Sequence, residues 1–302
     1  MGLAAETLET LAALEAEGTE ALRLAGIEMP RHEARLLLQH AAGVNLETLI
    51  AHPARGVSPA AAQSYRGFIR RRMEREPVAY ILGCREFWSL EFRVSPAVLV
   101  PRPDSETLIE AALAGLADRG APLRVLDLGT GSGCLLLALL SELPNATGVG
   151  LDVSPAALDV ARANAQALGL GARAAFREGG WSAMPAEPFD IVLANPPYIP
   201  EPELCALERD VRDYEPHLAL SGGADGLDAY RAILPVLGRV AAPHARIVFE
   251  HGAGQQDAVS ALARAEGFAI MSRFCDLAGH FRALMLRAEH TKKTIGMGRP
   301  KG

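Results

Sequence analysis

No two of the four cysteines (Cys84, Cys134, Cys205, Cys275) stand at C-x-x-C spacing, and no pair of histidines sits at i, i+4 beside a glutamate. These absences remove support for a metal site or a disulfide framework and favour reduced, cytosolic thiols. Basic residues are not in excess either. With Lys+Arg 30 against Asp+Glu 36, the net charge is −6 and the pI about 5.8, which argues against a chain that binds nucleic acid over its whole surface. No apolar run is long enough to span a membrane. The acidic N-terminus lacks the basic region and apolar core of a signal peptide. A soluble, cytoplasmic chain without a metal is expected.

At 302 residues the chain is too long for one small core, so two domains are expected; its 49% hydrophobic and 22% charged residues are those of a globular protein. Residues 1–76 form a helical domain. Ala34, Leu37, Leu38 and Ala41 make one core-facing stripe and Tyr65, Phe68, Ile69 and Met73 another, the second preceded by the capping pair Ser58-Pro59. Arg66, Arg70, Arg71, Arg72 and Arg75 share the latter helix. They form either a solvated face balanced by Glu74 and Glu76 or a docking patch for an acidic or nucleic-acid-bound partner.

Residues 77–103 read as a linking β-hairpin: Phe87, Trp88, Leu90, Phe92, Val94, Val98 and Val100 are strand formers, and Ser95-Pro96 is a turn signal. From 104 to 289, strand-like and helix-like segments alternate, which predicts a parallel α/β sheet. Strands are expected at 123–127, 147–151, 172–176, 189–194 and 245–250, and helices at 132–142, 155–168, 227–241 and near 255–265. Two late strands, 268–274 and 281–287, suggest an antiparallel hairpin at the sheet edge. The polar tail 290–302 is expected to be disordered.

Two motifs carry chemistry. Asp127-Leu128-Gly129-Thr130-Gly131-Ser132-Gly133 ends an apolar strand and opens a helix, so glycines let the backbone approach a ligand at the helix N-terminus. Cys134 stands where a nicotinamide-binding G-x-G-x-x-G loop would have its last glycine, so the loop departs from that fingerprint. Asp152 ends the next strand, about 20 residues on, where a carboxylate accepts both hydroxyls of a ribose. A nucleoside held without a pyrophosphate grip suits S-adenosylmethionine. Asp127 can organise the loop or meet the methionine amino group, and Trp181 can stack on the adenine.

The second motif, Asn195-Pro196-Pro197-Tyr198, follows the buried strand 189–194. In a sheet of order 3-2-1-4-5 it faces the glycine loop across the point where strand order reverses. Asn195 can accept one N–H of a planar amide or amino group through its side-chain oxygen, and the Pro196 carbonyl can accept the other. The two prolines fix that carbonyl, and Tyr198 offers a stacking face. This arrangement points to methyl transfer onto nitrogen.

With Gly83-Cys84-Arg85-Glu86-Phe87-Trp88, Val94-Ser95-Pro96, Pro101-Arg102-Pro103-Asp104-Ser105-Glu106 and Glu250-His251-Gly252 added to these motifs, the chain resembles the HemK/PrmC protein-(glutamine-N5) methyltransferases over roughly residues 10–288. The resemblance implies a class I S-adenosylmethionine-dependent methyltransferase fold: Rossmann-like, with a mostly parallel seven-stranded sheet, an antiparallel edge hairpin and a small all-helical N-terminal domain. It implies cofactor contacts from Gly129, Thr130, Gly131, Ser132, Gly133, Asp152, Trp181 and Asn195, and substrate contacts from Asn195, Pro196, Pro197 and Tyr198, of which Asn195, Pro196 and Tyr198 are catalytic. The implied substrate is the glutamine of a Gly-Gly-Gln loop on class I peptide chain release factors, docked by the helical domain. No direct nucleic-acid partner, no membrane and a monomer are expected. One departure stands out: Gly179-Gly180 precede Trp181, where the family often has an acid. Either a backbone carbonyl meets the adenine amino group or affinity is lower. Arg102 and Glu106 either pair at the interdomain hinge or contact cofactor or substrate directly, and His251 has no obvious task in amide methylation. Two rivals are an N6-adenine methyltransferase acting on nucleic acid and a non-catalytic cofactor-binding adaptor. The acidic pI opposes the first and the intact motifs the second.

Overall fold

The structure, a computed structural model, describes residues 8–288; the tail expected to be disordered lies outside them. The chain divides into two compact units. The first takes the chain up to Cys84 together with Val94–Pro96 and Leu207–Glu215; the second takes the rest.

The first unit is helical, and its helix ends carry sequence signals. α1 (Leu11–Leu24) starts at Thr10, whose side chain accepts from the Ala13 N–H. α2 (Pro30–Ala42) stops at Gly43 with φ +61. α3 (Leu46–Ala51) is capped by Asn45 and α4 (Pro59–Met73) by Ser58. α5 (Val78–Leu82) ends at Gly83 in the left-handed region. Leu11, Leu14, Leu22, Leu37, Leu38 and Tyr65 are fully buried between them. A Cβ on Gly18, inside α1, would lie 1.8 Å from the Tyr65 hydroxyl oxygen, so this glycine makes room for the ring despite its poor helix propensity. Of the expected second stripe, Tyr65 and Ile69 are buried but Met73 is exposed.

The helix α4 ends before Arg75, and its arginines, with Arg75 just beyond it, are mostly held inside their own unit. Arg66 binds Glu9 and Glu17, Arg71 binds Glu76, and Arg75 donates to the carbonyls of Ala25 and Gly26. Arg72 is buried and contacts Glu33, Asp210 and the Glu76 carbonyl. Their counter-charges therefore come largely from other segments rather than from Glu74 and Glu76 alone, and Arg70 is left exposed.

A hairpin follows, β1 (Cys84–Phe87) and β2 (Leu90–Arg93), which belongs to the second unit from Arg85 onward. Its turn is Trp88-Ser89, both at positive φ (+53 and +57), rather than the Ser95-Pro96 expected from sequence. Two left-handed non-glycine residues are unfavourable. They are held because the Trp88 N–H donates to Glu106 at 2.7 Å and its indole N–H to Glu142 at 2.9 Å. α6 (Glu106–Leu113), which supplies Glu106, has no counterpart in the sequence reading.

The main sheet contains β3 (Arg124–Leu128), β4 (Thr147–Asp152), β5 (Ala174–Glu178), β6 (Phe189–Ala194), β7 (Ala241–Glu250), β8 (Phe268–Cys275) and β9 (Phe281–Ala288). Their order is β5-β4-β3-β6-β7-β9-β8. Neighbours from β5 to β7 pair in parallel; β9 runs antiparallel to both β7 and β8. This is the expected mostly parallel seven-stranded sheet with an antiparallel edge. β5 lies two residues later than expected, and the helix expected at 227–241 is shorter because β7 begins at Ala241.

Alternation fills two cores: Val125, Ile191 and Leu193 face one, while Leu126, Leu128, Val192 and Ala194 face the other. The first is covered by α6, α7 (Cys134–Glu142) and α8 (Pro155–Ala167). The second is covered by α11 (Asp228–Leu237) and α12 (Gln256–Ala265). Two short helices, α9 (Arg209–Tyr214) and α10 (His217–Leu220), follow β6. Among the described residues no helix is long and apolar enough to cross a membrane, and no group of three or more His, Cys, Asp or Glu can hold a metal ion. All four cysteines are free thiols.

Candidate active site

The glycine loop and the Asn-Pro-Pro-Tyr turn start from adjacent positions. β3 and β6 pair in parallel with Leu128 opposite Ala194, so Gly129 and Asn195 each lie one residue past a registered pair. Strand order reverses here, because β4 and β5 lie beyond β3 on one side and β7 beyond β6 on the other. The helix after β3 packs on one face and α11, after β6, on the opposite face, which opens a crevice at the carboxyl edge.

Gly129, Gly131 and Gly133 have φ of +71, +53 and +80, where an L side chain would be strained. The loop is tied to the end of β4. The N–H groups of Gly129 and Thr130 donate to the Leu151 carbonyl at 2.8 and 3.0 Å, and that of Gly131 donates to Asp152 Oδ2 at 2.9 Å. The Ser132 carbonyl accepts from buried Asn164 at 2.9 Å. Asp152 Oδ1 accepts from the Ser154 N–H at 2.9 Å, while Ser154 caps α8. Each Asp152 oxygen accepts one bond and retains capacity for a second, as a pair of ribose hydroxyls requires.

Asp127 is buried, and its Oδ2 accepts from the Thr130 hydroxyl at 2.6 Å. Its Oδ1 is buried with no hydrogen-bond partner. Burial pushes this carboxyl up to about 7, against the lowering influence of Thr130. A buried carboxylate oxygen lacking a donor suits an ammonium group. Trp181 opens a short 3-10 turn after β5, and a Cβ on Gly129 would come within 3.3 Å of its ring. The indole therefore lies over the glycine loop. These residues fit an adenosyl cofactor with an amino-acid tail.

In the turn itself, Pro196 is buried and Asn195 half-buried. The Asn195 Nδ2 donates to Ser105 Oγ at 3.2 Å. The Ser105 hydroxyl donates to Glu250 Oε2 at 2.6 Å, and the Tyr198 hydroxyl donates to Glu250 Oε1 at 3.3 Å. The Tyr198 carbonyl accepts from Gln255 Nε2 at 2.8 Å, and Gln255 Oε1 accepts from the Gly252 N–H at 2.9 Å. Asn195 is thus committed through its nitrogen, and Oδ1 is the amide atom left to receive an N–H.

Ser105, Glu250 and Gln255 carry no assignment from sequence. A signal existed for two of them. Ser105 lies within the 101–106 signature, and Glu250 is an acid at the carboxyl end of a parallel strand, as are Asp127 near the end of β3 and Asp152 of β4. Burial pushes the Glu250 carboxyl up to about 7, opposed by Ser105 and by the positive field of Arg282. His251 is fully buried, its Nδ1 lies 2.9 Å from the Gly252 carbonyl, and burial lowers its pKa.

The chain is similar to known proteins in both of its parts. The description "PrmC N-terminal domain" matches residues 13–83 and "Methyltransferase domain" matches residues 120–278. The release factor glutamine methyltransferase of Rhodospirillum rubrum is 44% identical over 94% of this chain and 87% of its own length. That of Bradyrhizobium diazoefficiens is 46% identical over 88% and 91%. Among solved structures, the release factor-specific protein-(glutamine-N5) methyltransferase of Alicyclobacillus acidocaldarius is 29% identical, covering 66% of this chain and 99% of that one, with a TM-score of 0.39. Identity at this level along nearly the whole length, on a chain whose two motifs meet at the strand-order reversal, has one reading: the chain belongs to the release factor glutamine methyltransferases, enzymes that depend on S-adenosylmethionine.

Proposed function

We propose that this chain methylates the side-chain nitrogen (N5) of the glutamine in the Gly-Gly-Gln loop of a class I peptide chain release factor. The observation that carries the reading is the Leu128–Ala194 register, which sets the cofactor loop and the amide-gripping turn side by side. S-adenosylmethionine supplies an electrophilic methyl on a sulfonium and leaves as a thioether. Asp152 takes the ribose hydroxyls, Asp127 the amino group, and Trp181 covers the adenine; the backbone of 129–133 lines the pocket.

An amide nitrogen is a weak nucleophile because its lone pair is delocalised. Asn195 Oδ1 accepts one N–H of the glutamine amide and the Pro196 carbonyl the other, which polarises the nitrogen and aims it along the methyl. Pro197 stiffens the turn and Tyr198 stacks on the planar amide. No strong base is required before attack, since the proton leaves to water once the nitrogen carries the methyl. The helical unit is the docking surface for the release factor, and the enzyme acts as a cytoplasmic monomer.

The test is incubation with methyl-labelled S-adenosylmethionine and either a class I release factor or duplex DNA. Label is expected on the Gly-Gly-Gln glutamine and is lost in Asn195→Ala. Label on DNA adenine, or none on the release factor, would overturn the reading.

A further inference from the structure

An amide side chain can present either its oxygen or its nitrogen to a substrate, and only one of the two serves here. With Oδ1 toward the glutamine, Asn195 accepts an N–H; flipped, it offers a second donor to a donor and repels the group it must hold. Nothing in the Asn-Pro-Pro-Tyr turn alone decides between these orientations. The decision comes from behind it. Ser105 Oγ receives the Asn195 amide N–H, and the Ser105 hydroxyl hydrogen goes to Glu250 Oε2. The same carboxylate receives the Tyr198 hydroxyl on its other oxygen.

We infer that Ser105 and Glu250 form a positioning relay that sets the donor–acceptor sense of Asn195, and that the relay holds only while Glu250 is ionised. The logic is one of hydrogen counting. An ionised carboxylate can only accept, so Ser105 must donate to it and has only lone pairs left for Asn195. Asn195 is then obliged to turn Nδ2 toward Ser105 and Oδ1 toward the crevice. When Glu250 carries a proton it can donate to Ser105, whose hydroxyl is then free to donate to Asn195 Oδ1. That bond favours the flipped amide, which the glutamine cannot use. The inference rests on the functional reading above and adds residues to its site: Ser105 and Glu250 act through Asn195 and Tyr198.

The surroundings of Glu250 favour a protonation equilibrium in the physiological range. The residue is buried and registers with Ala283 of β9. Groups facing it come from several elements. Tyr198 comes from the turn, and Tyr230 of α11, whose hydroxyl donates to the Glu250 carbonyl at 2.7 Å, lies on the other side. Arg282 of β9 and Asp104 of the 103–105 turn act on its charge with opposite sign. Cys134 of α7 feels the carboxylate, and His251 is its chain neighbour. Arg282 is already shared between Asp104 and Asp276, at 3.0 Å each, and so is not a dedicated partner. Burial outweighs these influences and holds the carboxyl near 7.

The experiment measures single-turnover rates on a release factor at saturating cofactor across pH, with cofactor dissociation constants for each variant. In the unaltered enzyme the rate is expected to fall on the acid side with a midpoint near 7. Saturation keeps Asp127, which bears on cofactor affinity, out of the profile. Ser105→Ala is expected to lower the rate on the order of 100-fold, the scale of a mispositioned reacting group, with cofactor affinity unchanged. Ser105→Thr, which keeps the hydroxyl, restores most of it. Glu250→Gln is expected to run at a low rate with no acid limb. Unimpaired rates in both Ser105→Ala and Glu250→Gln overturn the relay, as does an acid limb that persists in Glu250→Gln. A flat profile in the unaltered enzyme overturns it without reference to any variant. Failure of the functional reading is distinct, since the unaltered enzyme would then leave the glutamine unlabelled.

Discussion

The two units treat buried charge in opposite ways. In the helical unit, Arg72 is 5% exposed and meets the Glu33 and Asp210 carboxylates and a backbone carbonyl. In the α/β unit, Glu250 and Asp127 are 2% and 1% exposed, and the bonds their carboxylates accept come from the hydroxyls of Ser105, Tyr198 and Thr130. The first arrangement compensates a charge fully and fixes a packing geometry. The second leaves two carboxyls near neutral pH, close to the boundary between charged and neutral. Full compensation makes a residue inert, whereas partial compensation by hydroxyls leaves it able to respond to a ligand or a proton.

The largest effect should come from breaking the compensated site. Glu33→Ala leaves Arg72 with one carboxylate and is expected to destabilise the helical unit by about 3 kcal/mol, the lower end for a buried pair that loses one partner. Thermal and urea unfolding followed by circular dichroism measure this. A variant as stable as the parent would erase the contrast.

The next effect is the mirror image. Glu250 and Asp127 bind protons more tightly folded, at about 7, than in the unfolded chain, at 4.5 and 3.8. The folded protein therefore holds more protons between those values. Their contribution to stability is complete only below both unfolded values, 4.5 and 3.8, and is lost as pH rises through about 7. The ligand-free protein is expected to melt at progressively lower temperature from pH 5 to 8, with Glu250→Gln flattening that slope. A melting temperature that climbs over this range would show that these carboxyls are compensated after all.

The smallest effect sharpens the contrast by adding an acid where the α/β unit lacks one. Gly180 has φ −87, and a Cβ there would lie 3.5 Å from Val153, an ordinary contact. Gly180→Asp is expected to tighten S-adenosylmethionine binding by a few-fold, about the net worth of one hydrogen bond. Calorimetric titration reads it, and an unchanged dissociation constant would mean that the adenine edge is met elsewhere.

Much of this architecture was legible in the chain. Ser58 and Ser154 announced helix starts, because a hydroxyl before Pro satisfies an otherwise orphaned N–H. The apolar runs 123–128 and 189–194 announced central parallel strands, and the two motifs at their ends followed from topology. What stayed hidden depended on partners far along the chain. The Trp88-Ser89 turn contradicts local turn preference and exists because Glu106 and Glu142 grip it. β5 is only partly buried, so its pattern gave weak edges and its position slipped by two residues. The Ser105–Glu250 contact joins residues 145 apart in sequence, and no periodicity in one strand reports on it.

The excursion Leu207–Glu215 has a consequence for how the protein can be divided. Shortly after the Asn-Pro-Pro-Tyr turn the chain enters the helical unit, where Asp210 reaches Arg72 and the Tyr214 hydroxyl donates to the Glu74 carbonyl at 2.9 Å, and then departs at Pro216. The helical unit is therefore not a contiguous gene segment. A fragment cut at Cys84 would be a lock missing one tumbler: its helices present, but Arg72 short of a carboxylate and the end of α4 short of its tyrosine. Modularity in space here does not translate into modularity in sequence, and any chimera that exchanges the N-terminal helices between relatives must carry this second segment with them.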